Sequence, residues 1–485
     1  AAIATAAMLT VVEPTSNGIG GDAFALVWTK KKLYVLNGSG PAPKAISAGK
    51  IIEAGFDSIP VYGHIPVTVP GTPATWAELS AKFGKMRFEE VLKPAIETAR
   101  NGHAVTFTVA KYWEKAYTKY KEQFKDPIFE EWFRVFAPEG RAPRAGEIWR
   151  SEDHAQTLEA LARSKCQSFY SGSIAKKICD VFRTYGGYLE EVDLNYYKPE
   201  WVEPISCDYK GYQVCEIPPN GQGISALMAL NILKHFELKQ FNEPHVLIEA
   251  TKLAMVDAKA FVSDPKTMKQ STKRMLSDDY AAHRATLIGD YAQMPEMGNP
   301  SSGGTVYLCT ADAEGNMVSY IQSNYMGFGS GVVVPGTGIA LHNRGNNFNL
   351  IKEHPNCIEG GKKPFHTIIP GFLMKDGDAV GPFGVMGGLM QPQGHVQLIT
   401  NTLDYEMNPQ DALDAPRWQW IKDKKITVEP SFSQEAVKNL IEKGHEVTVE
   451  SDSGSFGRGQ IIWRTADGTY CGGTESRCDG HIASL

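Results

Sequence analysis

The chain has 485 residues, 42% apolar and 21% charged, with a formal net charge of −6. This composition supports a packed core and excludes long disorder. It leaves no basic footprint for nucleic acid, and no apolar run is long enough to span a bilayer.

Residues 1–9 read as the interior of a helix with no cap and no initiator Met, so an upstream stretch of chain is expected. Residues 24–36 form two β-rich runs around a lysine turn, the pattern of a hairpin. Helical periodicity follows over 72–83, 88–101, 105–125, 154–165, 173–185, 223–237 and 245–263, with Gly102 placed to end the second of these. One β-run, 211–217, interrupts them and ends at Pro218-Pro219. Residues 294–304, rich in Pro, Gly and Ser, read as a flexible joint. Beyond it strands dominate: 305–312 with 317–323, 367–374 with 379–386, and 458–464 with 469–473, each pair around a short polar turn, while 391–402 and 433–443 read as helices. A helix-rich first part thus meets a strand-rich second part at Gly304-Thr305.

The eight cysteines are scattered and include no Cys-x-x-Cys pair, so they read as buried thiols rather than a disulfide framework. Cys471, Cys478 and His481 lack the fourth ligand and the spacing of a zinc site. No Gly-x-Ser-x-Gly elbow, His-Glu-x-x-His helix or Rossmann glycine pattern occurs. No metal or organic cofactor is implied. Thiol usage favours a cytoplasmic setting, while the missing upstream stretch leaves secreted or periplasmic settings open.

The joint suggests its own chemistry. Breaking the Gly304–Thr305 bond leaves Thr305 with a free α-amine beside its hydroxyl. An α-amine has a pKa of about 7.7–8.0, so a useful fraction is neutral near pH 7 and serves as the hydroxyl's base. The same hydroxyl can make the cut by attacking the preceding carbonyl in an N-to-O acyl shift. Gly303 and Gly304 let the backbone strain at that point. Taken alone, Gly-Gly-Thr also reads as a plain turn entering a strand.

The surrounding motifs decide between these readings. Glu13-Pro14-Thr15-Ser16-Asn17-Gly18-Ile19-Gly20-Gly21-Asp22, Val69-Pro70-Gly71-Thr72, Gly304-Thr305-Val306-Tyr307, Phe328-Gly329-Ser330-Gly331, Gly387-Gly388 and Gln391-Pro392-Gln393-Gly394-His395 occur in an order and spacing that resemble the gamma-glutamyltransferase family of N-terminal-nucleophile hydrolases. The resemblance covers nearly the whole chain. It implies an α+β fold, a four-layer αββα sandwich, with 1–304 as the large and 305–485 as the small product of self-cleavage. It implies Thr305 as nucleophile, Ser323 as a hydroxyl bonded to it, and the N–H groups of Gly387 and Gly388 as the oxyanion hole. His366 and Thr367 align with residues that help hold the substrate. Simpler roles stay open for Ser323 as a water-facing strand serine, for the two glycines as a turn, and for His366 as a solvated loop residue.

The match breaks at the head-group site. The family's carboxylate-binding arginine is missing from residues 37–43, where Ser39 or Pro41 falls. Asn347 replaces the acid that binds an ammonium, Arg344 replaces an amide, and Tyr325 stands near the place of an asparagine. A zwitterionic head group needs both a cation and an anion. Here the anion is gone and Arg344 is new, which suits an acidic acyl group without an ammonium, as in the family's glutaryl-type acylase branch; a structural salt bridge is the other role for Arg344. The expected function is an amidohydrolase or acyltransferase acting through a Thr305 ester on a gamma-glutamyl or glutaryl-type amide. The alternative is an uncleaved, catalytically degenerate member that binds a small molecule or a partner protein. The partners implied are a small-molecule amide, the paired cleavage products, and a second copy in a homodimer.

Overall fold

Along Asp22–Thr29 (β1), Ala23, Ala25 and Val27 point to one side and Phe24, Leu26 and Trp28 to the other, the alternation of a strand. Both sides are apolar, so β1 must lie between two layers. The computed structural model describes residues 1–238, 240–241, 243–295 and 304–484. It adds β2 (Lys32–Gly38), β3 (Glu200–Val202), β4 (Ile205–Tyr209), β5 (Tyr212–Glu216), β6 (Gly304–Ala311), β7 (Met317–Tyr325), β8 (Gly371–Lys375), β9 (Asp378–Met386), β10 (Arg458–Arg464) and β11 (Tyr470–Thr474). One sheet has the order β3-β2-β1-β7-β6, the other β11-β10-β9-β8-β5-β4. The pairings are antiparallel throughout.

Three apolar layers follow from this stacking. Phe24, Leu26, Trp28, Tyr307 and Ile321 of the first sheet meet Cys215, Phe372 and Met386 of the second. The outer face of the first sheet, with Ala23, Ala25 and Tyr320, packs under helices Ala2–Val12, Thr72–Phe83, Phe88–Asn101 and Glu152–Ser164. The outer face of the second, with Val214, Leu373, Val385 and Ile461, packs under Gly223–Leu233, His245–Phe261 and Met390–Leu403. Helix, sheet, sheet and helix make the four-layer αββα sandwich. Strands from both sides of Gly304 share each sheet, at the β1–β7 and β5–β8 borders.

The second helical layer carries a buried polar knot. Lys252 Nζ lies 2.7 Å from Glu249 Oε1 and 2.7 Å from the Gln293 carbonyl. The His245 and His445 rings are 2.8 Å apart beside it. Among the described residues, His245, Glu249 and His445 form a group with metal-ligand spacing, but the Lys252 ammonium already supplies the cation. Lys252→Met leaves the Glu249 charge buried and unpaired, so a loss of about 3–5 kcal/mol is expected in denaturant unfolding. Adding Glu249→Gln to that variant is expected to restore part of the loss.

Several boundaries differ from the sequence reading. The 105–125 helix is Phe107–Gln123, and the 223–237 helix stops at Leu233. The 367–374 strand starts later, at Gly371, because Pro370 lacks a ladder donor and the Ile369 N–H bonds the Gln391 side chain instead. A small sheet of Trp418–Lys422, Lys425–Val428 and Glu446–Val449 has no counterpart in the sequence reading. Only four of the eight thiols are fully buried, and Cys471 is exposed. Of the expected joint, residues 296–303, including Gly303, lie outside the described residues. Among the described residues no helix is long and apolar enough to cross a membrane.

Candidate active site

β6 begins at Gly304 and pairs with β7, but the register slips between Gly304 and Val306. The resulting bulge re-aims side chains locally, and Thr305 sits in it. Across the bulge, Tyr325 has φ +75°, a left-handed conformation costly for a side chain this large. This local strain sets the geometry of the site.

Thr305 Oγ1 lies 2.8 Å from the Gly304 carbonyl oxygen and 3.0 Å from Ser323 Oγ. The Ser323 hydroxyl donates to that same carbonyl at 2.6 Å and accepts the Tyr325 N–H at 2.8 Å. Ser323 is fully buried, which rules out a strand serine facing water. A donor chain thus runs from the Tyr325 amide through Ser323 onto the carbonyl preceding Thr305. A donor at a carbonyl stabilises the negative charge that develops there on attack, typically by about 3–4 kcal/mol.

Gly387 (φ +134°) and Gly388 (φ +60°) turn the chain between β9 and the helix Met390–Leu403. Both conformations favour glycine, and a helix amino terminus follows directly, where N–H groups attract negative charge. Gln222 ties this turn to the neighbouring loop. Its Nε2 donates to the Gly388 carbonyl at 2.8 Å and to the Thr367 carbonyl at 2.6 Å.

The Thr367 hydroxyl accepts from Arg344 Nη1 at 2.7 Å. Arg344 is fully buried, with its guanidinium 4.4 Å from the centre of the Tyr325 ring. Its Nε and Nη2 have no hydrogen-bond partner, and neither has the nearby Asn347 Nδ2. Burial lowers the Arg344 pKa to about 10, which leaves it a cation at neutral pH. A buried cation with two idle donors is costly unless a ligand completes it. The structural salt bridge open to Arg344 from its sequence is not what these donors make.

His366 is a correction. It is fully buried, not solvated, and its Nε2 lies 2.9 Å from Asp22 Oδ2. Burial, reinforced by Arg344, holds its pKa well below the usual imidazole value, so the ring is neutral. Asp22 itself is a second correction, because the sequence reading left the site without an anion. It is buried at the start of β1, held by the Gly71 N–H at 3.1 Å, and burial pushes its pKa up to about 7. The available signal was an acid closing a glycine run directly before an apolar strand. Gln222 was missed as well, in the Asn-Gly-Gln-Gly turn before a helix. Ser39 does not replace the absent arginine, because its Oγ is bonded to Asn37 and Asn220 in a buried amide network.

The structure therefore brings together Thr305, Ser323, Gly304, Tyr325, Arg344 and Thr367 through direct contacts, and joins Gly388 and His366 to them through Gln222, Thr367 and Asp22. Asn347 shares a short 3-10 turn with Arg344.

The gamma-glutamyltranspeptidase family model matches residues 1–485. A glutathione hydrolase-like YwrD proenzyme of Bacillus subtilis is 35% identical over 504 aligned residues, covering 100% of this chain and 93% of the relative. An oxamate amidohydrolase proenzyme of Klebsiella pneumoniae is 30% identical, covering 100% of this chain and 93% of the relative. Among solved structures, a cephalosporin acylase from Bacillus halodurans is similar with a TM-score of 0.97 at 55% identity, covering 100% of this chain and 90% of that one. With the sandwich and the strand-edge threonine in place, these matches show that the chain is an acyl-transferring amidohydrolase and belongs to the gamma-glutamyltranspeptidase family of N-terminal-nucleophile hydrolases.

Proposed function

We propose that the chain cuts itself between Gly304 and Thr305 and that Thr305 then hydrolyses an amide whose acyl group ends in a carboxylate, a dicarboxylic acid monoamide of the glutaryl type. The observation that carries the acyl class is Arg344, a buried cation whose Nε and Nη2 have no partner. A carboxylate accepts two such donors in parallel. Asn347 Nδ2, on the same short turn, is a third donor without a partner. An ammonium, as a gamma-glutamyl group carries, meets repulsion from Arg344. The acylases among the relatives support the same side of the family.

In the first step the Thr305 hydroxyl attacks the Gly304 carbonyl carbon, with Ser323 donating to the oxygen. Collapse expels the Thr305 nitrogen and leaves an ester. The expelled nitrogen, now the free α-amine, takes the hydroxyl proton, and water then hydrolyses the ester to release the Gly304 carboxylate and the Thr305 hydroxyl. In turnover the neutral amine takes the hydroxyl proton as Oγ1 attacks the substrate amide. The N–H groups of Gly387 and Gly388 bind the oxyanion, the protonated amine hands its proton to the leaving nitrogen, and water then cleaves the acyl ester. The cleavage products 1–304 and 305–485 stay together, because strands of the two hydrogen-bond to each other at one border in each sheet.

Ser323→Ala removes the donor to the Gly304 carbonyl. Self-cleavage, followed on gels over time, is expected to slow by on the order of 10²-fold. The acyl class is tested by kcat/KM on anilides of glutaric acid, gamma-glutamate and the uncharged glutaramic acid. The glutaryl anilide is expected to lead by at least about tenfold. A gamma-glutamyl anilide that matches or exceeds it overturns the reading.

A further inference from the structure

Beneath Arg344, two proton acceptors face each other without a proton between them. His366 Nδ1 accepts the Ile368 N–H at 3.4 Å, so the proton of this neutral ring is on Nε2, donated to Asp22 Oδ2. His342 Nε2 lies 2.9 Å from the Thr68 carbonyl, which only an N–H can satisfy. The proton of His342 is therefore on Nε2, because burial keeps this ring from taking a second one. Its bare Nδ1 then looks at Asp22 Oδ2 from 3.6 Å and has no hydrogen-bond partner. Both side chains are fully buried. A lone pair facing a carboxylate oxygen is unfavourable, and a proton placed there turns the contact into an O–H···N hydrogen bond.

The charge balance says when that proton arrives. Asp22 is stabilised as an anion by Arg344, by the Gly71 and Gly40 N–H groups and, more weakly, by Lys363. Lys363 is already paired with Glu200 at 2.9 Å. Of the other polar groups facing Asp22, the Tyr170 and Tyr197 hydroxyls are kept neutral by burial. With the pocket empty, one anion and one cation balance. An acyl carboxylate on Arg344 adds a second anion to a site where Asp22, Arg344 and His366 are all fully buried.

We propose that Asp22 determines acyl specificity: it carries the counter-charge of Arg344 when the pocket is empty, and takes up one proton from solvent, shared with His342 Nδ1, when an acyl carboxylate occupies Arg344. This rests on the reading of Arg344 as the partner of the acyl carboxylate, and adds that binding an acidic acyl group is coupled to protonation while binding a neutral one is not. Coupling of one proton to one ligand makes affinity for that ligand fall tenfold per pH unit once the acceptor is ionised in the empty enzyme. Asp22 ionises near 7 there, so the loss begins just above neutrality.

The test uses the mature enzyme and two anilides, of glutaric acid and of the isosteric glutaramic acid, from about pH 5.5 to about pH 9, where the glutaryl carboxylate is ionised throughout. Titration of the Thr305 amine affects both substrates and cancels in the ratio of their kcat/KM values. The ratio is expected to be flat on the acid side and to fall by about tenfold per unit on the alkaline side. Asp22→Asn is expected to flatten it. If that variant does not accumulate as folded protein, the wild-type ratio decides alone. A glutaryl preference whose ratio does not move with pH overturns the role of Asp22 and leaves the acyl assignment standing. No glutaryl preference at any pH removes both.

Discussion

Thr305→Ala is expected to yield a single 53.2 kDa chain, and the unaltered protein is expected to resolve into fragments 1–304 and 305–485 on denaturing mass spectrometry. The variant loses the hydroxyl that lies 2.8 Å from the Gly304 carbonyl, and with it both the self-cleavage reaction and the acyl acceptor. Amide hydrolysis is expected to fall by on the order of a millionfold, the scale seen when a covalent nucleophile is deleted. Thr305→Ser keeps an oxygen at the same place and is expected to cleave, more slowly, because the methyl group that restricts the rotamer is gone. An unaltered protein that stays whole after long incubation near neutral pH, or a Thr305→Ala chain that still divides at Gly304, removes Thr305 from its role.

Arg344→Met is expected to lower kcat/KM for the glutaryl anilide by about 2–5 kcal/mol, roughly 30- to 5,000-fold, the cost of taking one partner from a buried charge-assisted pair. The glutaramic anilide is expected to change by less than about threefold, since an uncharged amide loses no ion pair. The effect should fall on KM more than on kcat, because Arg344 bonds Thr367 and stacks on Tyr325 rather than touching the scissile atoms. Thermal unfolding checks that the fold survives, and Asp22→Asn in the same chain removes the buried anion that Arg344 would otherwise leave uncompensated. Equal losses on both anilides mean that Arg344 supports the fold of the pocket and does not read the acyl group.

Much of the architecture was legible because it obeys local rules. The hairpin at 24–36 lies within β1 and β2, and the helices at 72–83, 88–101 and 173–185 are found over those same residues. Their apolar spacing and their terminating glycines are properties of a few consecutive residues. The short pieces were not legible. Trp418–Lys422 and Glu446–Val449 become strands only because Lys425–Val428 lies between them, a pairing that no window of sequence contains.

The site divides in the same way. Gly304-Thr305 and Gly387-Gly388 stand out through motifs whose order and spacing resemble the gamma-glutamyltransferase family; taken alone, each also reads as a plain turn. Through its resemblance to the family, the amino-acid order implied the reaction class, the sandwich, and the replacement of an acid by Asn347 and of an amide by Arg344, whereas its local patterns alone amount to a mixed α and β chain. It misjudged the charges around them. Asp22 is 344 positions from His366 in the chain but 2.9 Å away in space, so the anion that faces Arg344 belongs to a strand the head-group motif does not include. Only the tertiary structure decided that His366 is buried and neutral, that Ser323 aims at the carbonyl before Thr305, and that Arg344 keeps two idle donors. Each depends on solvent exclusion and on partners distant in sequence, and electrostatic energies in a buried site are set by those two factors rather than by residue type.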